Sequence, residues 1–540
     1  MKSKESIFDS LQSYWSKDLL SGFLVSLIAL PLCLGIAGAS NFPPIMGVMT
    51  AVIGGIVVAF FAGSELTIKG PAAGLIVIVA GAVDELGKGD MDLGWKLALG
   101  VIVVAGLIQV LLGVLKVAKL ADFFPLSAVH GMLAAIGIII MSKQLHLAVG
   151  IPPSEMKGKE PIELLEMVPH SLMHMEYHIA IIGAISLFIL FGWQYLNIKA
   201  LKKVPPALIV LIVGVLLGQY FHLTEPTYKN FKPLVTPGDF SFNLNVNFGA
   251  LTTPELLPIF FKYLLMFVLI GSLESLLTGR AIDLIDPEKR KSDLSKDLTA
   301  VGIGNTIAGL LGGLPMISEV ARSSANINNG AKSRWANFFH GIFLLLFVVM
   351  MVPLIKMVPV ASLAAMLIFV GFRLASPKEF AHIYHIGKEQ LTIFLITIIT
   401  TIATDLLIGI AAGILTKFII QIAFGVKLSD IVKSRFELQE KELGVYQLNV
   451  NNAAVFANYL KLKSLLMKVP AGSSLVIDFS KAAYVDHTVA DNLNNFRRDF
   501  ESKGGSLTLR GLDLHESLSE HPLAARRLPK HLRKNTVEIA

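Results

Sequence analysis

Apolar residues in this chain fall into long runs between Leu19 and about Phe424, after which the runs shorten and charges become frequent. Each long run approaches the roughly 20 residues a helix needs to cross a hydrocarbon core of roughly 30 Å. The pattern predicts crossings that begin near Leu19, Ile45, Leu97, Phe124, Ile179, Pro206, Pro258, Leu298, Trp335, Val358, Leu391 and Leu406. Two further segments, from Pro71 and from about Ser318, are too short or too broken for an ordinary crossing. Past Phe424, VYQLNV, SSLVIDFS and GSLTLRGL read as strands between amphipathic stretches at 459–469 and 488–502. Their order, strand, strand, helix, strand, helix, strand, fits a small soluble α/β domain. The expected layout is a cytoplasmic segment at 1–18, a membrane domain at 19–425, a linker at 426–443 and the α/β domain at 444–540.

Composition agrees with a membrane protein: 540 residues, 54% hydrophobic, 16% charged and a mean hydropathy of +0.65. The net charge of +7 reads as topology rather than as a nucleic-acid surface. With the N-terminus inside, Lys116, Lys119, Lys199, Lys202, Lys203, Lys289, Arg290, Lys291, Lys332, Arg334, Arg373, Lys378 and Lys427 all fall in cytoplasmic connections. The first residues, MKSKESIFDSLQSYWSKD, show no cleavable signal pattern, so the first span is expected to be retained. The lone cysteine, Cys33, excludes an internal disulfide.

The segment GGLPMISEVARSSANINNGAK, 312–332, stands out because it sets Glu319 and Arg322 three residues apart after Pro315, between apolar spans. Ionisable groups and irregular backbone persist at membrane depth where they face a cavity or a buried site. This places the segment at the centre of the protein's action. Glu274 and Thr278, spaced i, i+4, point from one face of the span that begins near Pro258, the eighth when the broken segment from Pro71 is counted, with Ser275 beside them.

Four pieces of sequence together resemble the SulP sulfate-permease family of anion transporters with a C-terminal STAS domain. They are DLLSGFLVSLIALPLCLGIA, IKGPAAG, IGSLESLLTGRAID and the 312–332 segment, followed by VIDFSKAAYVDHTVADNL. The likeness covers nearly the whole chain. It implies an α-helical polytopic fold of 14 membrane segments in two inverted repeats of seven, with core and gate domains, and a homodimer. In such folds half-helices start at the bilayer midplane, where free N–H groups and positive dipole ends hold an anion. The expected anion site is Gly70, Pro71, Ala72, Ala73 and Gly74, with Ser318, Glu319, Val320 and Arg322. Pro71 is read as first-turn proline and Ser318 as the N-cap of the second half-helix. Resemblance to the bicarbonate-transporting branch makes Glu274 and Thr278 the cation-coupling pair, and Glu274 alternatively closes onto Arg280 or Arg322.

Glu319 departs from the family's commoner small or hydroxyl residue. Two carboxylates near one anion repel it and each other unless positive charge enters too, so Glu319 joins the coupling set, with H+ or Na+ as the ion. Two readings of Arg322 stand level: it neutralises Glu319, or it attracts the anion directly. Glu65 and Lys69 are read as a structural pair. His146, His170, His174 and His178 are read as solvated loop residues rather than zinc ligands, and Asp283, Asp286 and Glu288 as a solvated turn. Thr488 is read as a helix cap rather than a phosphorylation site. No nucleophile-and-base set, nucleotide motif or cofactor site is found, so an enzyme is not expected.

The expected function is therefore proton- or sodium-coupled symport of a small inorganic anion, sulfate or bicarbonate, by elevator-type movement in a bacterial cytoplasmic membrane, with the STAS domain inside. Expected partners are the anion, membrane lipid and a second copy, with a soluble protein open to the STAS domain and no nucleic acid. The alternatives are an exchanger or uniporter for chloride or dicarboxylate, a nucleobase permease, and a non-transporting STAS-linked scaffold or voltage-responsive motor.

Overall fold

In a computed structural model, described for residues 7–117, 125–195, 204–224, 232–238, 240, 243–432, 435–529 and 531–532, each of the twelve predicted crossings meets a helix. They are α1 (Ile7–Ala39), α2 (Pro44–Ile56), α4 (Met91–Val114), α5 (Leu126–Ala148), α6 (Tyr177–Gly192), α7 (Pro206–Tyr220), α8 (Leu257–Ile285), α9 (Leu294–Leu310), α11 (Trp335–Met350), α12 (Val360–Leu374), α13 (Lys388–Ala403) and α14 (Leu406–Ala423). The two broken segments supply the short helices α3 (Ile76–Gly87) and α10 (Val320–Asn328). With these the membrane domain has its 14 segments in two repeats of seven. Among the described residues, seven helices are long and apolar enough to span by length and composition alone. Lys119, Lys199, Lys202 and Lys203 lie outside the described residues.

The chain divides into two compact units, Met1–Ala118 with Ile136–Arg373, and Lys119–Ala135 with Leu374–Ala540. In the first, small residues let backbones approach closely. A Cβ on Gly55 of α2 would lie 2.5 Å from Gly341 Cα on α11, and one on Gly302 of α9 2.6 Å from Val110 N on α4. Such contacts leave no room for an alanine at either position. Helix α8 carries a π-turn at Phe267–Gly271, directly ahead of Glu274, an irregularity frequent at functional sites.

In the second unit the sheet of the C-terminal domain runs β3 (Phe436–Glu442), β4 (Val445–Val450), β5 (Ser474–Asp478) and β6 (Ser506–Arg510). The first pair is antiparallel and the remaining two are parallel. Helices α15 (Tyr459–Leu466) and α16 (His487–Ser502) pack against it through Leu462, Leu466, Val489, Leu493 and Phe500. The sheet thus begins inside the stretch read as a linker at 426–443, because Phe436 and Leu438 alternate into the core while Glu437 between them faces out.

Several polar groups sit differently from expectation. His146 is fully buried, with Nδ1 2.7 Å from Ser171 Oγ and Nε2 2.9 Å from Leu164 O, tying α5 to the loop that follows it. His170 and His174 are exposed and stack on each other, and His178 packs on Phe221. The turn at 283–290 is a clasp rather than a solvated loop. Arg290 Nε donates to Asp286 Oδ2 at 2.7 Å and its Nη1 to Lys332 O at 2.6 Å, while Ser292 Oγ donates to Asp283 at 2.6 Å. Burial raises the Asp286 carboxyl, and Arg290 with the neighbouring N–H groups outweighs it, holding the group below its usual range.

Candidate functional site

Two short strands carry the site: β1 (Ile68–Pro71) and β2 (Met316–Glu319). They pair antiparallel with Ile68 opposite Glu319, Lys69 opposite Ser318, Gly70 opposite Ile317 and Pro71 opposite Met316. Each leads into a half-helix, so α3 and α10 set out from one crossing point in opposite senses. Irregular backbone at this depth needs side chains to satisfy it, and the sequence provides them. Ser323 Oγ accepts from Ile68 N at 2.9 Å, Asn337 Oδ1 from Lys69 N at 3.3 Å and Asn305 Oδ1 from Met316 N at 2.6 Å. Asn326 donates to Leu66 O at 3.0 Å and accepts from Ser21 Oγ at 2.7 Å.

The local start of each half-helix differs from the sequence reading. Pro71 closes strand β1 instead of opening a helix; Ala72 is extended, Ala73–Leu75 form a 3-10 turn, and α3 follows. Ser318 lies within β2, and Glu319, with extended backbone, stands at the N-cap of α10 without a side-chain bond to that helix. Strand pairing between the two repeats, invisible to a local reading, draws both residues out of the helices.

Ser318 is committed elsewhere. Its N–H donates to Ser275 Oγ at 3.1 Å and its hydroxyl to Asp297 Oδ2 at 3.0 Å. Asp297 also accepts from Lys69 Nζ at 2.9 and 3.0 Å, Gly63 N at 3.1 Å and Ser64 N at 3.2 Å, and Lys69 Nζ donates to Thr67 Oγ1. Lys69 is fully buried, and this is its ion pair; Glu65 instead pairs with Arg334. Asp297 was not singled out in the sequence, although it lies four residues past Asp293, the N-cap of α9.

Two other charged groups at the crossing, Glu274 and Arg322, have buried atoms without partners. Glu274 is buried, and its Oε1 has no hydrogen-bond partner, Arg280 included. Its carboxylate presses on the start of α3: a Cβ on Gly74 would lie 2.1 Å from Oε1 and 2.6 Å from Oε2. Thr278, one turn on, is buried beside it. Arg322 is fully buried, and none of its three guanidinium nitrogens has a partner, so it does not close onto Glu319 or Glu274. Its Nη1 lies behind Gly70, where a Cβ would approach within 2.3 Å, and Cys33 and His340 share this interior. His340 is likewise fully buried, with both ring nitrogens unpartnered. Val320, at the first turn of α10, is 49% exposed.

A second buried charge lies at the end of α14. Lys417 Nζ is 2.8 Å from Asp486 Oδ1 and donates to Thr488 Oγ1 at 3.0 Å, while Gln421 and Phe456 N donate to Asp486 Oδ2 at 3.3 and 3.2 Å. Asp486 rather than Thr488 is the N-cap of α16, accepting from Thr488 N at 3.3 Å. The Thr488 hydroxyl is buried against the lysine.

A polytopic helical fold with two opposed half-helices paired through β-strands defines a membrane transporter, not an enzyme. Residues 15–397 match the model of the Sulfate permease family, and the chain belongs to that family. It is 27% identical to a putative sulfate transporter, YvdB, of Bacillus subtilis, over 93% of this chain and 92% of that one. It is 23% identical to the bicarbonate transporter BicA of Picosynechococcus over 73% of this chain and 68% of that one. Among solved structures, the transmembrane domain of a cyanobacterial BicA superposes with a TM-score of 0.63 at 22% identity, covering 74% of this chain and 97% of that one. SLC26A9 superposes with 0.67 at 14% identity, over 93% and 85%. These likenesses place the 14-segment fold, and the C-terminal sheet with its helices is the STAS domain.

Proposed function

We propose that this protein is a secondary active transporter of a small inorganic anion, bicarbonate or sulfate, driven by entry of a proton or sodium ion. One observation carries the reading: the antiparallel crossing of β1 and β2 sets the starts of α3 and α10 at one point, with Glu274 buried and unpartnered against Gly74 and Arg322 unpartnered behind Gly70. Free N–H groups and dipole ends favour an anion there. A desolvated carboxylate without a partner favours a cation alongside it. Gly70, Pro71, Ala72, Ala73, Glu319 and Val320 surround the anion, Arg322 supplies positive potential from behind, and Glu274 with Thr278 and Glu319 holds the coupling ion. Ser318 fixes the geometry through Ser275 and Asp297.

The crossing moves as one body in elevator fashion within a homodimer in the bacterial cytoplasmic membrane, with the N-terminus and STAS domain inside. The test is uptake of labelled bicarbonate and of labelled sulfate into proteoliposomes under imposed pH or sodium gradients. The expected result is uptake of one anion that follows one gradient and falls to background in Glu274→Gln. Absence of uptake of both anions under both gradients sinks the proposal.

A further inference from the structure

The π-turn in α8 decides where Glu274 points. A helix advances about 100° per residue, and a turn widened to i→i+5 spacing carries one residue more than an α-turn. Side chains past Phe267–Gly271 are therefore rotated by about 100° from where an unbroken helix would put them. Glu274 lies three residues beyond that turn and bears on Gly74 at the start of α3. Closing the turn would swing the carboxylate off that glycine.

A widened turn interrupts the i→i+4 ladder and needs support from outside the helix. Gln109 of α4 provides it. Its Nε2 donates to Phe267 O at 3.5 Å, inside the turn, and to Ser272 Oγ at 3.3 Å, just past it. Between those two, a Cβ on Gly271 would lie 3.3 Å from the same nitrogen. The other end of the amide leads to the paired strands. Gln109 Oε1 accepts from Asn305 Nδ2 of α9 at 2.7 Å, and Asn305 Oδ1 accepts from Met316 N at 2.6 Å. Met316 stands opposite Pro71 where β1 and β2 pair. Gln109 and Asn305 are 1% and 3% exposed, so the protein itself supplies their partners.

We propose that Gln109 is a positioning residue for transport: its one amide holds the π-turn that aims Glu274 at Gly74 and, through Asn305, keeps β2 in register with that turn. The inference rests on the coupling role proposed for Glu274 above and adds what sets the direction of its carboxylate. An amide that only joined helices, as polar side chains in membranes often do, would contribute to stability alone.

The experiment is uptake of labelled bicarbonate or sulfate into proteoliposomes by wild type, Gln109→Met and Ser272→Ala, with the coupling ion, H+ or Na+, and the anion titrated separately. Methionine nearly keeps the volume of glutamine and removes the amide. Gln109→Met is expected to raise the concentration of coupling ion at half-maximal uptake about tenfold, equivalent to about 1.4 kcal/mol. The half-saturating anion concentration, measured at saturating coupling ion, is expected to stay at the wild-type value. Ser272→Ala removes one of the two bonds to α8 and is expected to shift the coupling-ion value in the same direction by less. Melting curves establish which variants are folded, and Ser272→Ala decides the matter where Gln109→Met is not. Wild-type values for both half-saturations, or equal shifts in both, make Gln109 a helix joint only; either result overturns this inference and leaves the coupling site standing. Absence of uptake by wild type overturns both.

Discussion

Buried charge is handled in opposite ways at the membrane crossing and at the junction of α14 with the STAS domain. At the junction, Lys417 and Asp486 face each other at 2.8 Å, and Thr488, Gln421 and the Phe456 N–H take up further capacity. At the crossing, Glu274 Oε1 and all three nitrogens of Arg322 are left over, although they are as deeply enclosed. Desolvated groups that lack partners cost free energy in the folded state, and the proposed anion and coupling ion would offset that cost at the crossing. The difference separates a joint from a site.

Four measurements probe that contrast. Asp486→Ala strands Lys417 in a closed interior, and removing one partner of a buried pair costs about 3–5 kcal/mol. A sharp fall in the melting temperature of the purified protein is expected, with Lys417→Met/Asp486→Leu recovering most of it. Should Asp486→Ala melt like the wild type, the junction is not a satisfied joint. Glu274→Gln goes the other way. It removes an unpaired desolvated charge, so the protein is expected to melt at the wild-type temperature or above it, by up to about 1–3 kcal/mol, while flux falls to background. Loss of stability together with flux would make Glu274 structural.

Thr488→Val deletes one acceptor from the lysine while keeping the side-chain volume, which corresponds to about 1.5–3 kcal/mol for a hydrogen bond to a charged group. Melting that is unchanged would show that Lys417 is held by Asp486 alone. The smallest effect concerns His487, next to the joint, whose Nδ1 lies 2.7 Å from Leu523 O. Burial holds its pKa below the usual value. The unfolded chain takes up a proton near pH 6.5 that the folded chain resists, so stability present above that pH declines as pH falls below it. Between pH 7.5 and 5.5 the decline is expected to reach at most about 1.4 kcal/mol, and to vanish in His487→Asn. A pH dependence that persists in the variant assigns it elsewhere.

Much of this was legible in the chain. Runs of apolar residues located the twelve crossings because each helix is specified by its own segment, and the same holds for the strand and helix order of the STAS domain. The two broken segments announced themselves by Gly70-Pro71 and by Glu319 and Arg322 in apolar surroundings. What local reading missed depends on partners far away in sequence. Lys69 pairs with Asp297 across 228 positions rather than with Glu65 nearby. Pro71 and Ser318 lie in strands because each repeat lends the other an edge to pair with. Asp486 takes the cap that Thr488 was expected to supply, since Lys417, 71 positions earlier, claims the threonine hydroxyl. The signal that was available and passed over was Asp297 itself, an acid one turn into a helix already capped by Asp293.

The pairing of β1 with β2 has a mechanical corollary. Four residues from each half of the chain are stitched edge to edge, so neither half-helix is able to slide past the other without tearing that seam. If the cradle moves as proposed, it would travel with both rims fastened, and the hinges would belong in the connections outside it.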